Sequence, residues 1–170
     1  IVIKNGNVVL DDGTDYTVTY SANTKVGTVE VTITGTGSYI GEIKSSFDIL
    51  PAKQQIQKLE TRFKGFFIDW AQKGSATGYE IEYSTNADFK DSTVKKLTAN
   101  KPDTLTISGL TAGNKYYVRV RSYTNVGENV YYGAWSDSKN ITTAKYDITK
   151  SAISGISTKT YTGKNITQSV

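Results

Sequence analysis

The stretch GYEIEYS places Glu80 and Glu82 two residues apart, so on one strand face their Cα atoms lie ~7 Å apart. Paired carboxylates at such a spacing can run glycoside hydrolysis. No long pocket-forming loop accompanies them, and the simpler reading is a solvated sheet face between lysines. Asp11, Asp12 and Asp15 in DDGTDY could cradle calcium. The loop length and closing bidentate glutamate of a calcium hand are missing, so a turn in which Asp accepts backbone N–H bonds is favoured. Tyr117, Arg119, Arg121, Tyr131 and Trp135 form a basic-aromatic set. Arg beside aromatics suits stacking on bases or sugars.

Much chemistry is excluded by residue type. The 170 residues contain no Cys and no His, which removes thiol nucleophiles, disulfides, imidazole bases and the commonest zinc sites. No metal or cofactor site is expected. No glycine turn has a phosphate-loop pattern, and no Arg-Gly-Asp occurs. An intramolecular isopeptide bond would need a buried Lys–Asn pair beside an acid, which no motif marks. Asn140-Ile-Thr and Asn165-Ile-Thr are formal glycosylation sequons. No apolar run is long enough to span a membrane. There is no Met, so the chain is expected to be an excised or processed piece of something larger.

The elements that must position these residues are strands. Apolar residues alternate with polar ones, and no helical period appears. Ile1–Lys4 and Asn7–Leu10 flank Asn5-Gly6, a strong hairpin signal. Tyr16, Val18 and Tyr20 share a face, as do Val29, Val31 and Ile33, and then Ile43, Phe47 and Ile49. Pro51 and AKQQ read as a linker. Beyond it, Phe66, Ile68 and Trp70 face one way, as do Tyr79, Ile81 and Tyr83, leaving Glu80 and Glu82 outside. Tyr116, Val118 and Val120 point inward, with Tyr117, Arg119 and Arg121 outward. Seven short strands in about 90 residues describe a β-sandwich.

Residues 56–144 resemble a fibronectin type III domain. The likeness rests on Trp70 late in the second strand, on GYEIEYS as the third, and on LTAGNKYYVRV. That last stretch resembles the family's Leu-x-Pro-Gly-x-x-Tyr corner, with Leu110 leading and Ala112 where proline is usual. The resemblance implies that Tyr116 is the corner tyrosine, its hydroxyl bonded to upstream backbone. GAWSD is similar to half of the tryptophan-serine motif of cytokine-receptor fibronectin domains, where Trp and Arg side chains interleave. YYVRVRSY with YYGAWS is similar to a variant in surface proteins of gut Firmicutes. The flanks resemble the bacterial Ig-like repeats that accompany it. Residues 1–50 carry the later part of that repeat and 161–170 its beginning.

The expectation is therefore an all-β chain. Residues 1–51 are an Ig-like sandwich segment lacking its first strands, 52–55 a linker, and 56–145 a seven-stranded fibronectin type III sandwich. Residues 146–170 are a strand-forming tail, the first strands of a further repeat. Fifty-one residues make a poor domain without metal or disulfide, and Val170 would run directly into Ile1. The ends of a sandwich lie at opposite poles, ~25 Å apart, and a four-residue linker reaches only ~14 Å. The tail is thus expected to complete residues 1–51 of a neighbouring molecule, head to tail, by strand addition. Charge favours this: residues 1–51 hold three Lys against six acids, and residues 146–170 hold three Lys and one Asp. The expected role is a non-enzymatic, extracellular structural or adhesion module of a bacterial cell-surface protein. A glycan or a host surface protein is the candidate ligand; nucleic acid and membrane insertion are not expected. The alternative is a carbohydrate-binding accessory module of a secreted glycan-active enzyme.

Overall fold

The computed structural model describes residues 1–22, 24–72, 74–101, 103–160 and 162–164. Its elements are strands, apart from one short 3₁₀ turn near the end. Strands β1 (Lys4–Asn5) and β2 (Val8–Val9) form the first hairpin. Asn5 pairs with Val8, so the two turn residues are Gly6 and Asn7, one place later than expected. Gly6 takes φ +60, and glycine at the first turn position tolerates this without steric cost.

Strands β3 (Tyr16–Tyr20), β4 (Gly27–Gly35) and β5 (Glu42–Ile49) form an antiparallel sheet in that order. Val18 lies opposite Ile33, which lies opposite Ile43, and Val29 lies opposite Phe47. The period-two residues of all three strands therefore share one apolar face. The hairpin covers part of that face, where Leu10, Tyr16, Val31 and Ile33 are buried with Ile3, Val18 and Tyr39 against them. On the same face Val29 is also buried, whereas Tyr20, Ile43 and Phe47 are exposed.

The second unit packs two sheets face to face. Strands β6 (Ile56–Arg62), β7 (Gly65–Trp70) and β10 (Thr104–Ile107) are ordered β10-β7-β6. Strands β8 (Gly78–Ser84), β9 (Thr93–Leu97), β11 (Lys115–Val126) and β12 (Asn129–Tyr132) are ordered β12-β11-β8-β9. Strand β13 (Lys139–Thr142) pairs with the first part of β11 and β12 with its last part. Phe66, Ile68, Trp70, Tyr79, Ile81, Val118 and Val120 are completely buried between the sheets. Each such large apolar side chain contributes roughly 1.5–3 kcal/mol relative to exposure. Backbone comes close at Gly78, where a Cβ would collide with the Leu97 carbonyl oxygen and lie 2.7 Å from the Tyr123 hydroxyl.

Residues 52–55, expected as a linker, lie packed on this second unit. Pro51 and Gln54 are buried. The Gln54 amide donates to Ser122 Oγ at 3.1 Å, and Lys53 pairs with Asp137 at 2.6 Å.

The tail leaves from the other end of β6. Ala144 bridges to Phe63, its N–H donates to the Arg62 carbonyl at 2.8 Å, and Tyr146 meets Phe63 edge to face at 5.8 Å. Asp147 then caps the 3₁₀ turn Ile148–Lys150. Among its described residues, 146–160 and 162–164, the tail forms no strand within its own chain. Tyr161, residues 165–170 and the Asn165 sequon lie outside the described residues.

Candidate functional site

Strand alternation puts Tyr117, Arg119 and Arg121 on the outer face of β11, directly across from β8. Arg119 faces Glu82 and Arg121 faces Glu80 in the register. Arg119 Nε donates to Glu82 at 2.5 Å, and Arg121 Nε and Nη2 both donate to Glu80, at 2.9 and 2.7 Å. Ser92 Oγ donates to the other Glu82 oxygen, and Lys96 Nζ lies 3.7 Å from the other Glu80 oxygen. The two carboxylates are only 7% exposed each. The reading of Glu80 and Glu82 as a solvated face is thus overturned, because the arginine stems and guanidinium groups lie across them.

Above the carboxylates, cations and rings alternate. The Arg119 guanidinium lies 4.0 Å from the ring centroid of Phe89 and 4.8 Å from that of Trp135. Arg121 lies 4.3 Å from Trp135 and 4.1 Å from Tyr132. Lys96 closes the row over Tyr123, at 4.3 Å, and donates to the Tyr132 hydroxyl at 3.4 Å. Its pKa is raised on balance: burial pulls it down, but the Tyr132 hydrogen bond and the charges of Tyr132, Glu80 and Tyr123 outweigh that.

Three local features hold the row. Ser136 Oγ accepts from the Val120 N–H at 3.0 Å, and Ser136 N–H donates to the Val120 carbonyl at 2.8 Å. This ties the segment after β12 to β11 and presents its neighbour Trp135. The β8–β9 loop is fastened by Ser84 Oγ and Asn86 Nδ2, which both donate to the Lys90 carbonyl, at 2.8 and 3.1 Å. Within it Phe89 is held at φ +61, a left-handed conformation that costs a non-glycine residue of order 1–3 kcal/mol and persists only when its surroundings over-determine it.

Of the five residues singled out in sequence, Arg119, Arg121 and Trp135 come together. Tyr117 stands one step along β11, beneath Lys115 Nζ at 5.1 Å. Tyr131 is elsewhere: it is buried, and its hydroxyl meets Thr28 Oγ1 of the first unit at 2.8 Å. Its neighbour Tyr132, opposite Tyr123, takes the ladder position instead. Counting outward from the Gly127 turn would have separated the two tyrosines. Phe89 had no sequence signal, since it comes from a loop some twenty-five residues before β11.

The three residues read as structural lie in the second unit's interior. Trp70 is fully buried and packed on Tyr79 at 5.3 Å, and among the described residues its indole N–H has no partner. The Tyr116 hydroxyl accepts from the Thr111 N–H at 3.3 Å. Leu110 packs against the core, and its N–H donates to the Lys64 carbonyl at 2.8 Å. In the acidic turn, Asp15 Oδ2 accepts from the Asp11 N–H at 3.0 Å. Among the described residues no group of His, Cys, Asp or Glu is placed to hold a metal ion, and no helix is long and apolar enough to cross a membrane.

The family model described as fibronectin type III domain matches residues 64–139. No curated protein matches the chain. Among solved structures, one titled "Myokine structure" is 11% identical, with a TM-score of 0.47 over 56% of this chain and 99% of that one. The chicken CNTN1 FN1-FN3 domains are 16% identical (TM-score 0.49; 71% of this chain, 44% of that one). The beta-1,2-glucanase from Parabacteroides distasonis is 17% identical (TM-score 0.45; 69% and 18%).

Proposed function

We propose that the chain is a non-enzymatic extracellular structural and adhesion module of a bacterial cell-surface protein, associating head to tail through residues 146–170. The observation that supports this is the apolar surface left exposed both on the first sheet and on the tail. The first sheet leaves Tyr20, Ile43 and Phe47 exposed on its apolar face, while the tail departs beyond the far end of β6 with Ile153 and Ile156 exposed. A contact between such unlike patches is heterologous and need not close, so it yields chains of molecules. The match of residues 64–139 to a family of spacer-like modules supports the non-catalytic, extracellular part.

The alternative, a carbohydrate-binding module using the Arg119–Trp135–Arg121 row, has less support. A sugar stacks on an open ring face, and Trp135 has an arginine guanidinium within 5 Å on each of its contacts, at 4.8 and 4.3 Å. Light scattering after size exclusion tests the main reading, on residues 1–170 and 1–145 over a range of concentrations. Growth of mass with concentration only when the tail is present supports it; equal monomers sink it. Saturable glycan binding on an array, abolished by Trp135→Ala, would favour the alternative.

A further inference from the structure

We infer that the receiving site on the neighbouring molecule is the outer edge of β5, and that Ile153 and Ile156 of a second copy cover Ile43 and Phe47 there. This rests on the head-to-tail reading above and adds where the tail docks.

Strand β5 is an edge with no further strand beside it among the described residues. Long exposed edges invite pairing, and proteins usually shorten or guard them. Strand β5 runs for eight residues without proline, and its only lysine is Lys44. Ile43 is 57% exposed and Phe47 45% exposed, although both lie on the apolar face with buried Ile33 and Val29. Between the hairpin and the start of β5 lies a gap of about 220 Å³, lined by Ile3, Leu10, Tyr16, Ile33, Tyr39 and Ile43 among others. It is apolar enough and large enough to take an aliphatic side chain.

The tail has matching chemistry. Ile153 is 81% and Ile156 70% exposed. Three residues apart, they would fall on opposite faces of a regular strand. Gly155 between them adopts φ +80. A left-handed glycine is what a β-bulge uses, and a bulge counts two residues as one, which returns both isoleucines to the same face. Lys150, Lys159 and Lys164 flank this pair, whereas residues 1–51 carry twice as many acids as lysines.

The tail cannot serve its own sheet. Nine residues from Ala144 to Ile153 span at most ~32 Å. Running back along β6 uses ~23 Å of that. Ile43 lies a further six residues along β5 from the joint, another ~20 Å.

The test is a cysteine pair in the full chain, which has no native cysteine. Ile43→Cys with Ile153→Cys is mildly oxidised over a range of concentrations and resolved by mass without reductant. A series of disulfide-linked oligomers is expected, growing with concentration, and absent when Val94→Cys on β9 replaces Ile43→Cys. In the otherwise unaltered chain, Phe47→Asp, with its fold checked by thermal melting, is expected to return the scattering mass to monomer. Assembly that survives Phe47→Asp without cross-linking would overturn the β5 site and leave head-to-tail association standing. A disulfide formed within monomers would overturn the second-copy occupant. Monomers at every concentration would remove the underlying reading, and this site with it.

Discussion

The guanidinium of Arg121 rests 4.3 Å from the Trp135 ring centroid while its nitrogens hold the buried Glu80 carboxylate at 2.7 and 2.9 Å. The ring contact alone contributes roughly 0.5–1 kcal/mol, but the charge beneath sets the larger stake. Arg121→Ala leaves Glu80 buried without its principal cation and is expected to cost about 3 kcal/mol. Adding Glu80→Gln should recover much of that loss. Urea unfolding of the two single variants and the double variant measures the coupling.

Tyr131 and Thr28 meet at 2.8 Å across the joint between the two units, and Thr28 Oγ1 also donates to Asp48 at 2.6 Å. Tyr131→Phe is expected to cost about 1 kcal/mol and to loosen the joint. NMR relaxation should then show a larger difference between the tumbling times of the two units than in the unaltered chain.

Gly78 allows β9 and Tyr123 to approach the start of β8. Gly78→Ala forces a methyl into the Leu97 carbonyl and should destabilise the second unit by roughly 1–3 kcal/mol, as overpacking does. Differential scanning calorimetry would register it as a lower melting temperature for the unit containing Trp70.

Burial raises the Tyr83 hydroxyl above the ordinary tyrosine value; a Thr93 hydrogen bond offsets part of this and the neighbouring Tyr116 adds to it. A raised folded pKa gives stability that is whole below the unfolded value of about 10 and drains as pH climbs from there through the folded value. Alkaline unfolding is therefore expected to begin near that pH. Tyr83→Phe should flatten the decline, measured as urea midpoint against pH.

Much of the architecture was legible because strand faces follow from alternation. Phe66, Ile68 and Trp70 point into the core, as do Tyr79 and Ile81, since residues two apart on a strand must share a side. The hairpin turn was misplaced by one residue, because Asn5 and Asn7 both flank Gly6 and pairing, not composition, chooses between the frames. The candidate site was half legible. Arg119, Arg121 and Trp135 announced themselves by type, while Tyr131 was taken for its neighbour and Phe89 and Lys96 went unnoticed.

By itself the sequence determined which residues share a strand face and that thiol and imidazole chemistry is excluded. Those properties are local, set by side-chain period and residue type. Only the tertiary structure decided what the outward residues meet. Glu80 and Glu82 are outward on β8 yet buried, because β11 lays Arg119 and Arg121 directly across them. The connector is a packed joint because Ser122 and Gly133, some seventy to eighty residues onward, receive it. Such neighbours depend on strand register and loop path, which are settled by contacts between distant segments.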